Sequence, residues 1–287
     1  MLDKKLLLGK NVADSITKDV VKDVEDLKSK AINPTIAMLK VGNREEDAAY
    51  QRAASSRCSK CGIDIKLIEL DENCSEEEYI KALNSLNTDE SIHGILCFRP
   101  LAKQIREEIV ADTINPMKDI DCFSPINMAK LISNDNTGYA PCTAKAVIEI
   151  LDFYDINIKS ENISVLGRSL VVGKPLALLL MNRDATVRVC HSKTKDIEKI
   201  ASDSDILISC MGRAKMLDSR FVKEDAVLID VGINFDEEGN MCGDVDFDSV
   251  IDKVDKITPV PRGVGSVTTS VLVKHLVKAC KSLNNLQ

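Results

Sequence analysis

Short apolar runs in the first third of the chain alternate with longer segments in which apolar residues recur at helical spacing. The runs at 35–41, 63–70 and 94–98 are predicted to be strands, and apolar and polar residues alternate along the second of them. A helix is predicted at Glu45–Cys61, ending before Gly62, and another from the N-cap Ser75 to Leu86. This β-α-β-α-β order predicts a parallel sheet with right-handed crossovers.

The second half of the chain repeats the pattern. Further strands are predicted at 163–166, 186–190, 205–209 and 227–231, with helices such as Pro175–Asn182 in the gaps. The stretch 121–141 is rich in Asn, Ser, Pro and Gly, which predicts linker and crossover loops. A last helix at about 268–283 is predicted to pack back on the first half.

The predicted fold class is therefore α/β, with two domains and a cleft between them. The first domain is expected to span 1–138 together with the C-terminal helix at 268–287. The second, at 139–267, is expected to be a Rossmann-like, doubly wound parallel sheet.

Composition narrows the function classes. A net charge of −7, 3% aromatic residues and no Trp argue against a nucleic-acid-binding surface. No apolar run is long enough to cross a membrane, and the start Met1-Leu2-Asp3-Lys4-Lys5 does not resemble a secretory signal. A soluble, cytoplasmic protein of 287 residues is expected.

Ten cysteines raise the question of metal or redox chemistry, because Cys58 and Cys61 form C-x-x-C. Zinc would need a second ligand pair, and the three histidines lack the necessary spacing. The pair also lies late in a predicted helix, unlike a thioredoxin-type site. Reduced, mostly buried thiols and no metal site are expected, and a metal- or thiol-dependent redox protein is the least favoured alternative.

The stretch from Gly167 to Pro175 lies between a predicted strand and a predicted helix, where doubly wound sheets bind dinucleotides. Gly167 and Gly173 permit close backbone approach, Pro175 suits the first helical turn, and the helix start offers free amides to phosphate. The spacing is not G-x-G-x-x-G, so an ordinary strand-to-helix turn remains an alternative.

The end of the following strand bears on the choice of cofactor. NAD-binding sheets usually place a carboxylate there for the ribose hydroxyls, but no carboxylate occurs until Asp196. A 2′-phosphate would instead suit Arg168 and Ser192, with Arg188 or Lys193 as further candidates. NADP is predicted, with NAD as the alternative cofactor, although Ser192 and Thr194 are also typical of plain helix capping.

Several motifs in order along nearly the whole chain resemble the methylenetetrahydrofolate dehydrogenase/cyclohydrolase family. These motifs are Pro116…Lys118-Asp119…Asp121, Pro141-Cys142-Thr143, Gly167-Arg168-Ser169…Val172-Gly173-Lys174-Pro175, Cys190-His191-Ser192-Lys193-Thr194, Asp230-Val231-Gly232-Ile233-Asn234, Gly243-Asp244-Val245 and Thr258-Pro259-Val260-Pro261…Gly263-Val264-Gly265. The resemblance implies a folate domain, an NAD(P) domain and a homodimer. It also implies hydride transfer from 5,10-methylenetetrahydrofolate to NAD(P)+ in one-carbon metabolism, followed in bifunctional members by hydrolysis of the methenyl product to 10-formyltetrahydrofolate.

The resemblance also assigns residues. Tyr50 and Asp121 match the folate-site tyrosine and the carboxylate that binds the pterin N–H groups, and both are predicted to be catalytic. Taken alone, they would be a half-buried helix tyrosine and a turn or cap aspartate. Further substrate contacts are expected from Phe98, Pro100, Leu101, Pro261 and Gly263, and cofactor contacts from Gly167, Arg168, Ser169, Gly173, Ser192 and Ile233.

This chain departs from the family pattern at the hydrolytic residues. Bifunctional relatives have a lysine four residues after the tyrosine, on the same helix face, where it can transfer protons; this chain has Ala54. Ser56 occupies the next lysine position, and Phe98 replaces the glutamine that would bond the lysine. We therefore expect a dehydrogenase whose cyclohydrolase activity is weak or absent.

Other departures leave alternatives open. Cys122 and Ser124 replace Gly and His, Arg262 replaces a glycine, and Ser266-Val267 replaces Pro-Met. Arg99 and Arg262 are added cations that would recruit the folate's glutamate tail, pair with carboxylates, rebuild a hydrolytic site or lie on the surface. A bifunctional enzyme and a non-catalytic folate/NADP-binding paralogue are the alternative functions.

Overall fold

The computed structural model describes residues 4–286. Met1–Asp3 and Gln287 lie outside the described residues. The first three residues belong to the predicted first domain and to the start that does not resemble a secretory signal. Contacts divide the chain into two compact units. The first unit contains 15–142 and 269–286, and the second contains 4–14 and 143–268.

The first unit is built on a three-stranded parallel sheet. Its strands are β1 (Thr35–Val41), β2 (Asp64–Leu70) and β3 (Gly94–Cys97), in the order β2-β1-β3. Its helices are the greater part of α1 (Gly9–Ser29), then α2 (Glu45–Cys61), α3 (Glu76–Thr88), α4 (Glu107–Thr113) and α5 (Pro125–Ile132). The β-α-β-α-β order and parallel pairing predicted for this part of the chain are confirmed.

Local chemistry explains where two of these helices begin and end. Gly62 adopts φ +69° after α2, a left-handed conformation that glycine reaches without steric cost. The Ser75 hydroxyl accepts a hydrogen bond from the Glu78 amide at 3.2 Å, and the Glu78 carboxylate accepts one from the Ser75 amide at 2.7 Å. This reciprocal capping box starts α3 where the sequence predicted an N-cap.

The prediction of linker loops at 121–141 was wrong in part, because the segment contains α5. Ser124 is its N-cap, with the hydroxyl accepting from the Ile126 amide at 3.2 Å, and Pro125 occupies the first turn. Ser-Pro therefore starts a helix here. The amino-acid composition of a short segment does not distinguish such a helix start from a loop, because Ser and Pro are common in both.

The second unit contains a five-stranded parallel sheet in the order β10-β7-β6-β4-β5. The strands are β4 (Asn162–Leu166), β5 (Thr186–Cys190), β6 (Ile206–Ser209), β7 (Val227–Asp230) and β10 (Lys256–Ile257), and a hairpin joins β8 (Asn234–Phe235) to β9 (Met241–Cys242). The helices are α6 (Cys142–Phe153, from its second residue), α7 (Gly173–Met181), α8 (Ile197–Ala201) and α9 (Phe247–Val250). The predicted Rossmann-like sheet is confirmed, although the two-residue β10 was not predicted.

The ends of the chain differ from the predicted division. Residues 4–14, expected in the first domain, group with the second unit because the Leu7 amide donates to the Ile257 carbonyl at 2.8 Å and the Gly9 amide to the Arg262 carbonyl at 2.9 Å. The last helix, α10 (Gly265–Leu283), starts three residues earlier than expected. From residue 269 it belongs to the first unit, where Lys281 pairs with Asp23 at 2.8 Å.

Within residues 4–286, every helix is too short or too polar to span a bilayer.

Candidate active site

The loop after β4 passes very close to its neighbours. Gly167 has φ +137°, and a Cβ there would lie 2.5 Å from the carbonyl oxygen and the sulfur of Cys210. A Cβ on Gly173 would overlap the Gly167 carbonyl oxygen. Because β4 lies between β5 and β6, this loop occupies the point where the strand order reverses, the usual place for a nucleotide in such sheets.

The start of α7 differs in detail from the expectation. The helix begins at Gly173, two residues before the predicted start, and Pro175 still falls in its first turn. The Ser169 hydroxyl accepts hydrogen bonds from the amides of Val172 (3.1 Å) and Gly173 (3.4 Å). The Lys174 amide donates to the Ser169 carbonyl at 3.0 Å and Pro175 has no amide hydrogen, so the expectation of free amides at this helix start was wrong. Ser169 shapes the loop as well as facing solvent beside Arg168.

The end of β5 lies beside this loop because Leu166 pairs with Cys190 in adjacent strands. Thr194 closes the turn by accepting from the His191 amide at 2.9 Å. The N-cap of α8 is Asp196, which forms no side-chain capping bond, so the predicted helix-capping role of Thr194 is wrong. The exposed Ser192 hydroxyl has no hydrogen-bond partner within residues 4–286. The Arg188 guanidinium donates to Asp203 at 2.9 Å and to Ser204 at 3.3 Å.

A second concave region lies at the ends of β7 and β10. This cavity of about 260 Å³ brings together three of the predicted contacts, Ile233, Pro261 and Gly263, with Arg262 between the last two. Ile233 is 58% exposed, so its side chain is available to a ligand. We call this region the Ile233 cavity.

Two buried carboxylates hold the wall of the Ile233 cavity. Asp230 accepts from the amides of Gly232 (3.0 Å), Asp244 (3.1 Å) and Val245 (2.9 Å). Burial raises the pKa of Asp230 to about 6. The carboxylate is thus committed to the backbone that leads into Ile233.

Asp244 performs the reciprocal role. Its carboxylate accepts from the Ser209 hydroxyl, the amides of Met211 and Arg213 and the Asn234 side chain, at 2.7, 2.7, 2.8 and 3.0 Å. A Cβ on Gly232 would overlap the Asp244 carboxylate, and one on Gly243 would overlap that of Asp230. Sequence reasoning missed this interlock, although the pairing of each aspartate with a glycine in the quoted motifs was a signal.

In the first unit, Tyr50 and Phe98 meet edge to face, with ring centroids 6.0 Å apart. Burial of the hydroxyl and then the charge of Asp121 hold the pKa of Tyr50 above its usual value, so the phenol remains protonated at neutral pH. Ala54 lies one turn further along α2 and is fully buried. Its methyl group supplies neither a proton nor a lone pair.

Asp121 has two partners. One carboxylate oxygen accepts from the Cys142 amide at 2.8 Å, and the other lies 4.0 Å from the Arg99 guanidinium. The Arg99 guanidinium also lies 4.3 Å above the Phe123 ring, a cation–π contact that sequence reasoning missed. Arg99 is therefore a fixed cation beside the predicted pterin ligand.

The loop that carries Asp121 and Phe123 is organised by buried Asp119. Its carboxylate accepts from the amides of Phe123 and Ser124 and from the Asn127 side chain, each at 2.8 Å. This support was also missed, although Asp119 lies inside a quoted motif.

A cavity of about 250 Å³ in the first unit is lined by three predicted substrate contacts, Phe98, Pro100 and Leu101. Tyr50 and Asp121 are not part of its lining. Tyr50 reaches the cavity wall through its contact with Phe98, whereas Asp121 is linked to it through Arg99.

The cysteines occupy packing positions. All ten are free thiols and nine are buried, with only Cys210 partly exposed. Burial raises the pKa of Cys58 to about 12 and also raises that of Cys61, so neither forms a ready thiolate. Within the described residues, no group of three or more His, Cys, Asp or Glu side chains is arranged to hold a metal ion.

A glycine-tight loop at the switch point of a five-stranded parallel sheet, in a chain with another α/β unit built on three strands, defines a dinucleotide-binding α/β protein. Comparison with known protein families identifies the family of this chain. The profile of the tetrahydrofolate dehydrogenase/cyclohydrolase catalytic domain matches residues 7–121, and that of the family's NAD(P)-binding domain matches residues 141–284. The chain belongs to the tetrahydrofolate dehydrogenase/cyclohydrolase family.

Individual relatives support the same family assignment. The bifunctional protein FolD of Clostridioides difficile (strain 630) is 53% identical over 280 residues, which cover 98% of each chain. The crystal structure of the bifunctional FolD methylenetetrahydrofolate dehydrogenase/cyclohydrolase from Campylobacter jejuni matches with a TM-score of 0.95 at 38% identity, covering 96% of this chain and 98% of that one. The Trypanosoma brucei FolD, solved with NADP and an inhibitor, matches with a TM-score of 0.91 at 34% identity, covering 96% and 97%.

Proposed function

We propose that this protein oxidises 5,10-methylenetetrahydrofolate with NADP+ as hydride acceptor, and that its cyclohydrolase activity is weak or absent. The proposed weakness or absence of cyclohydrolase activity rests on Ala54, a fully buried alanine one helical turn after Tyr50. Family membership supports the proposed dehydrogenase activity.

Oxidation makes modest demands on the protein. NADP+, when bound, supplies the hydride acceptor. The chain's own residues then have to bind and orient the ligands. The tight Gly167–Gly173 loop fits a pyrophosphate, exposed Arg168 and Ser192 fit a 2′-phosphate, and Ile233 offers an apolar contact to the nicotinamide.

The folate side of the proposal rests on the first unit. Asp121 retains acceptor capacity on its carboxylate for the pterin N–H groups, because each carboxylate oxygen accepts two hydrogen bonds. Tyr50, Phe98, Pro100 and Leu101 supply apolar contact area near it.

Hydrolysis of the methenyl product needs a group that moves a proton near neutral pH. The fixed cation beside Asp121 is Arg99, whose guanidinium has hydrogen-bond donors but no acceptor atom. The two buried lysines among the described residues of this unit are held elsewhere. Lys40 pairs with Glu69 at 3.1 Å, and Lys118 donates to the carbonyls of Leu86 (3.3 Å) and Asp89 (2.8 Å).

An imidazole also occurs in this region. The His275 Nδ1 lies 2.9 Å from the Ile120 carbonyl and 3.8 Å from the Cys142 sulfur. The carbonyl is only an acceptor, so Nδ1 carries the proton of this contact and His275 serves to join α10 to the loop. It is the residue to test if hydrolysis is found.

Paired assays of the two half-reactions test the proposal. Purified protein should form NADPH from methylenetetrahydrofolate but should not accelerate decay of methenyltetrahydrofolate above the buffer rate. Absent NADPH formation would favour the non-catalytic paralogue. Rapid hydrolysis would favour a rebuilt hydrolytic site, and its loss in His275→Gln would locate that site.

A gain-of-function variant sharpens the test. Ala54→Lys alone buries an unpaired ammonium, so we pair it with Phe98→Gln, which restores the expected amide partner. Hydrolysis should rise by about 10-fold or more, since a positioned proton-transfer group contributes about 10²–10⁴-fold. The control is Ala53→Lys, which adds the same charge at an exposed position of α2 and should leave hydrolysis unchanged.

A further inference from the structure

Arg262 has an unusual backbone conformation for an arginine. Its φ is +83°, and a non-glycine residue in this left-handed region costs about 1–2 kcal/mol. The surrounding chain imposes the conformation: the Arg262 carbonyl accepts from the Gly9 amide at 2.9 Å, and a Cβ on Gly9 would overlap the carbonyl oxygen of Gly263. Strain of this kind is concentrated at ligand sites.

The side chain of Arg262 is exposed and forms no hydrogen bond, ion pair or ring contact with the rest of residues 4–286. Three other arginines of the second unit differ in this respect, whereas Arg168 also lacks an ion pair within residues 4–286. Arg183, Arg188 and Arg220 each pair with a carboxylate, at 2.5, 2.9 and 2.9 Å. Arg262 thus presents an unpaired guanidinium at the Ile233 cavity, which it helps to line.

The chemistry of that cavity defines what it would accept. Its lining includes Val231, Ile233, Met241, Pro259 and Val264, and its buried carboxylate, Asp230, is occupied by backbone amides. An apolar cavity with one free cation fits a ligand that has an aromatic body and an anionic end. A reduced folate has this form, since its p-aminobenzoyl ring is followed by glutamate carboxylates.

The phosphates of the cofactor fit Arg262 less well than the carboxylates of a folate do. They are expected at the loops after β4 and β5, whereas Arg262 follows β10. Three strand spacings separate β10 from β4, or about 14 Å of sheet. The oxidised nicotinamide and the methenyl product are both cations, so a neighbouring guanidinium would oppose the reaction unless a carboxylate neutralised it.

We propose that Arg262 is a specificity-determining residue that binds the glutamate carboxylates of the folate substrate. This inference rests on the proposed dehydrogenase function and adds the part of the substrate that Arg262, in the lining of the Ile233 cavity, recognises. A longer glutamate chain brings more carboxylates within reach and binds more tightly.

The test compares three forms of methylenetetrahydrofolate: triglutamyl, monoglutamyl and the pteroate form without glutamate. In the natural protein KM should be lowest for the triglutamyl form. Arg262→Gly should raise that KM about 10-fold and abolish the preference, leaving the KM for the pteroate form and for NADP+ within twofold. Arg262→Lys should retain most of the preference, and salt should weaken it.

A matched control removes another cation from a left-handed position. Lys215 has φ +50° but is paired with Asp236 at 3.2 Å, so Lys215→Gly should leave the glutamate dependence intact. Thermal unfolding of Arg262→Gly should occur at or above the natural temperature, because glycine relieves the strain. An equal rise in KM for all three folates would overturn the proposal.

Direct measurement of folate binding separates failure of the proposed dehydrogenase function from failure of the inference about Arg262. Calorimetry with triglutamyl and monoglutamyl 5-formyltetrahydrofolate measures the tail contribution without turnover. A glutamate-dependent affinity that Arg262→Gly removes would support the inference even in a protein that forms no NADPH. An affinity independent of glutamate number in both proteins would refute it.

Discussion

At the residue scale, the folate side of the site depends on how Asp121 is held. Its carboxylate lies between the Cys142 amide and the Arg99 guanidinium, and Arg99 is itself fixed over Phe123. Neighbouring Asp119 instead accepts two hydrogen bonds from amides of its own loop and one from the Asn127 side chain on α5. Two aspartates two positions apart therefore have separable roles, one facing the ligand and one supporting the fold.

Asp121→Asn should raise the KM for methylenetetrahydrofolate by about 10- to 100-fold, because a hydrogen bond to a charged group contributes about 1.5–3 kcal/mol. The KM for NADP+ and the unfolding temperature should change little. Steady-state kinetics with each substrate varied in turn would measure this. Asp112→Asn, at an exposed position on α4, is the control.

Asp119→Asn gives the contrasting result. Replacing one carboxylate oxygen by an amide leaves a buried amide donor facing the amides of Phe123 and Ser124, so the protein should unfold more readily. If both variants lowered stability equally, the separation of roles would be wrong.

At the element scale, the β4–α7 connection is shaped by close backbone approach. Gly167 and Gly173 touch each other's backbone, and Ser169 caps the amides that follow. These contacts restrict the conformations of the loop before any ligand binds, which reduces the ordering cost of binding.

Gly173→Ala should raise the Kd for NADP+ at least about 10-fold and cost about 1–3 kcal/mol of stability, since the new methyl group has to displace the Gly167 carbonyl. Titration calorimetry and urea unfolding would measure the two effects. Gly239→Ala is the control, because a methyl group there would meet open space, although Gly239 itself is left-handed with φ +81°. It should lose stability without losing NADP+ affinity, and an unchanged Kd in Gly173→Ala would contradict the assignment of the loop.

At the scale of the whole molecule, stability responds to the buried carboxylates of the second unit. Burial raises the folded-state pKa of Asp230 to about 6, above the value near 4 expected when the chain is unfolded. Between these values the folded protein binds more protons than the unfolded one, so the contribution of Asp230 to stability is present below about pH 4 and is lost as pH rises through 6.

The free energy of unfolding of the natural protein, relative to that of Asp230→Asn, should therefore fall by about 2–3 kcal/mol between pH 4 and pH 7. Urea unfolding of both proteins across this range isolates the one carboxyl group. A difference that rises with pH would show that Asp230 is stabilised as the anion by its three amide donors.

The homodimer also belongs to this scale and stays a prediction from the family resemblance. Sedimentation should give twice the chain mass of 31.5 kDa if it is correct.

Much of the fold was predictable because its signals are local. The β-α-β-α-β order, the Gly62 end of α2 and the Ser75 start of α3 follow from hydrophobic period and from capping chemistry within a few residues. The prediction failed where the same residue types serve two purposes, as Ser124 and Pro125 do at the start of α5, and where a strand has only two residues, as in β10.

The sequence by itself determined the parallel α/β architecture, the place of the glycine loop and the absence of a titratable side chain at position 54, because each depends on residue identity or short-range pattern. Tertiary structure decided that Arg99 stacks on Phe123 beside Asp121, that Asp230 and Asp244 lock each other's loops, and that Arg262 remains unpaired at a cavity. Such contacts join residues far apart in the chain, and their geometry depends on packing that no local pattern encodes.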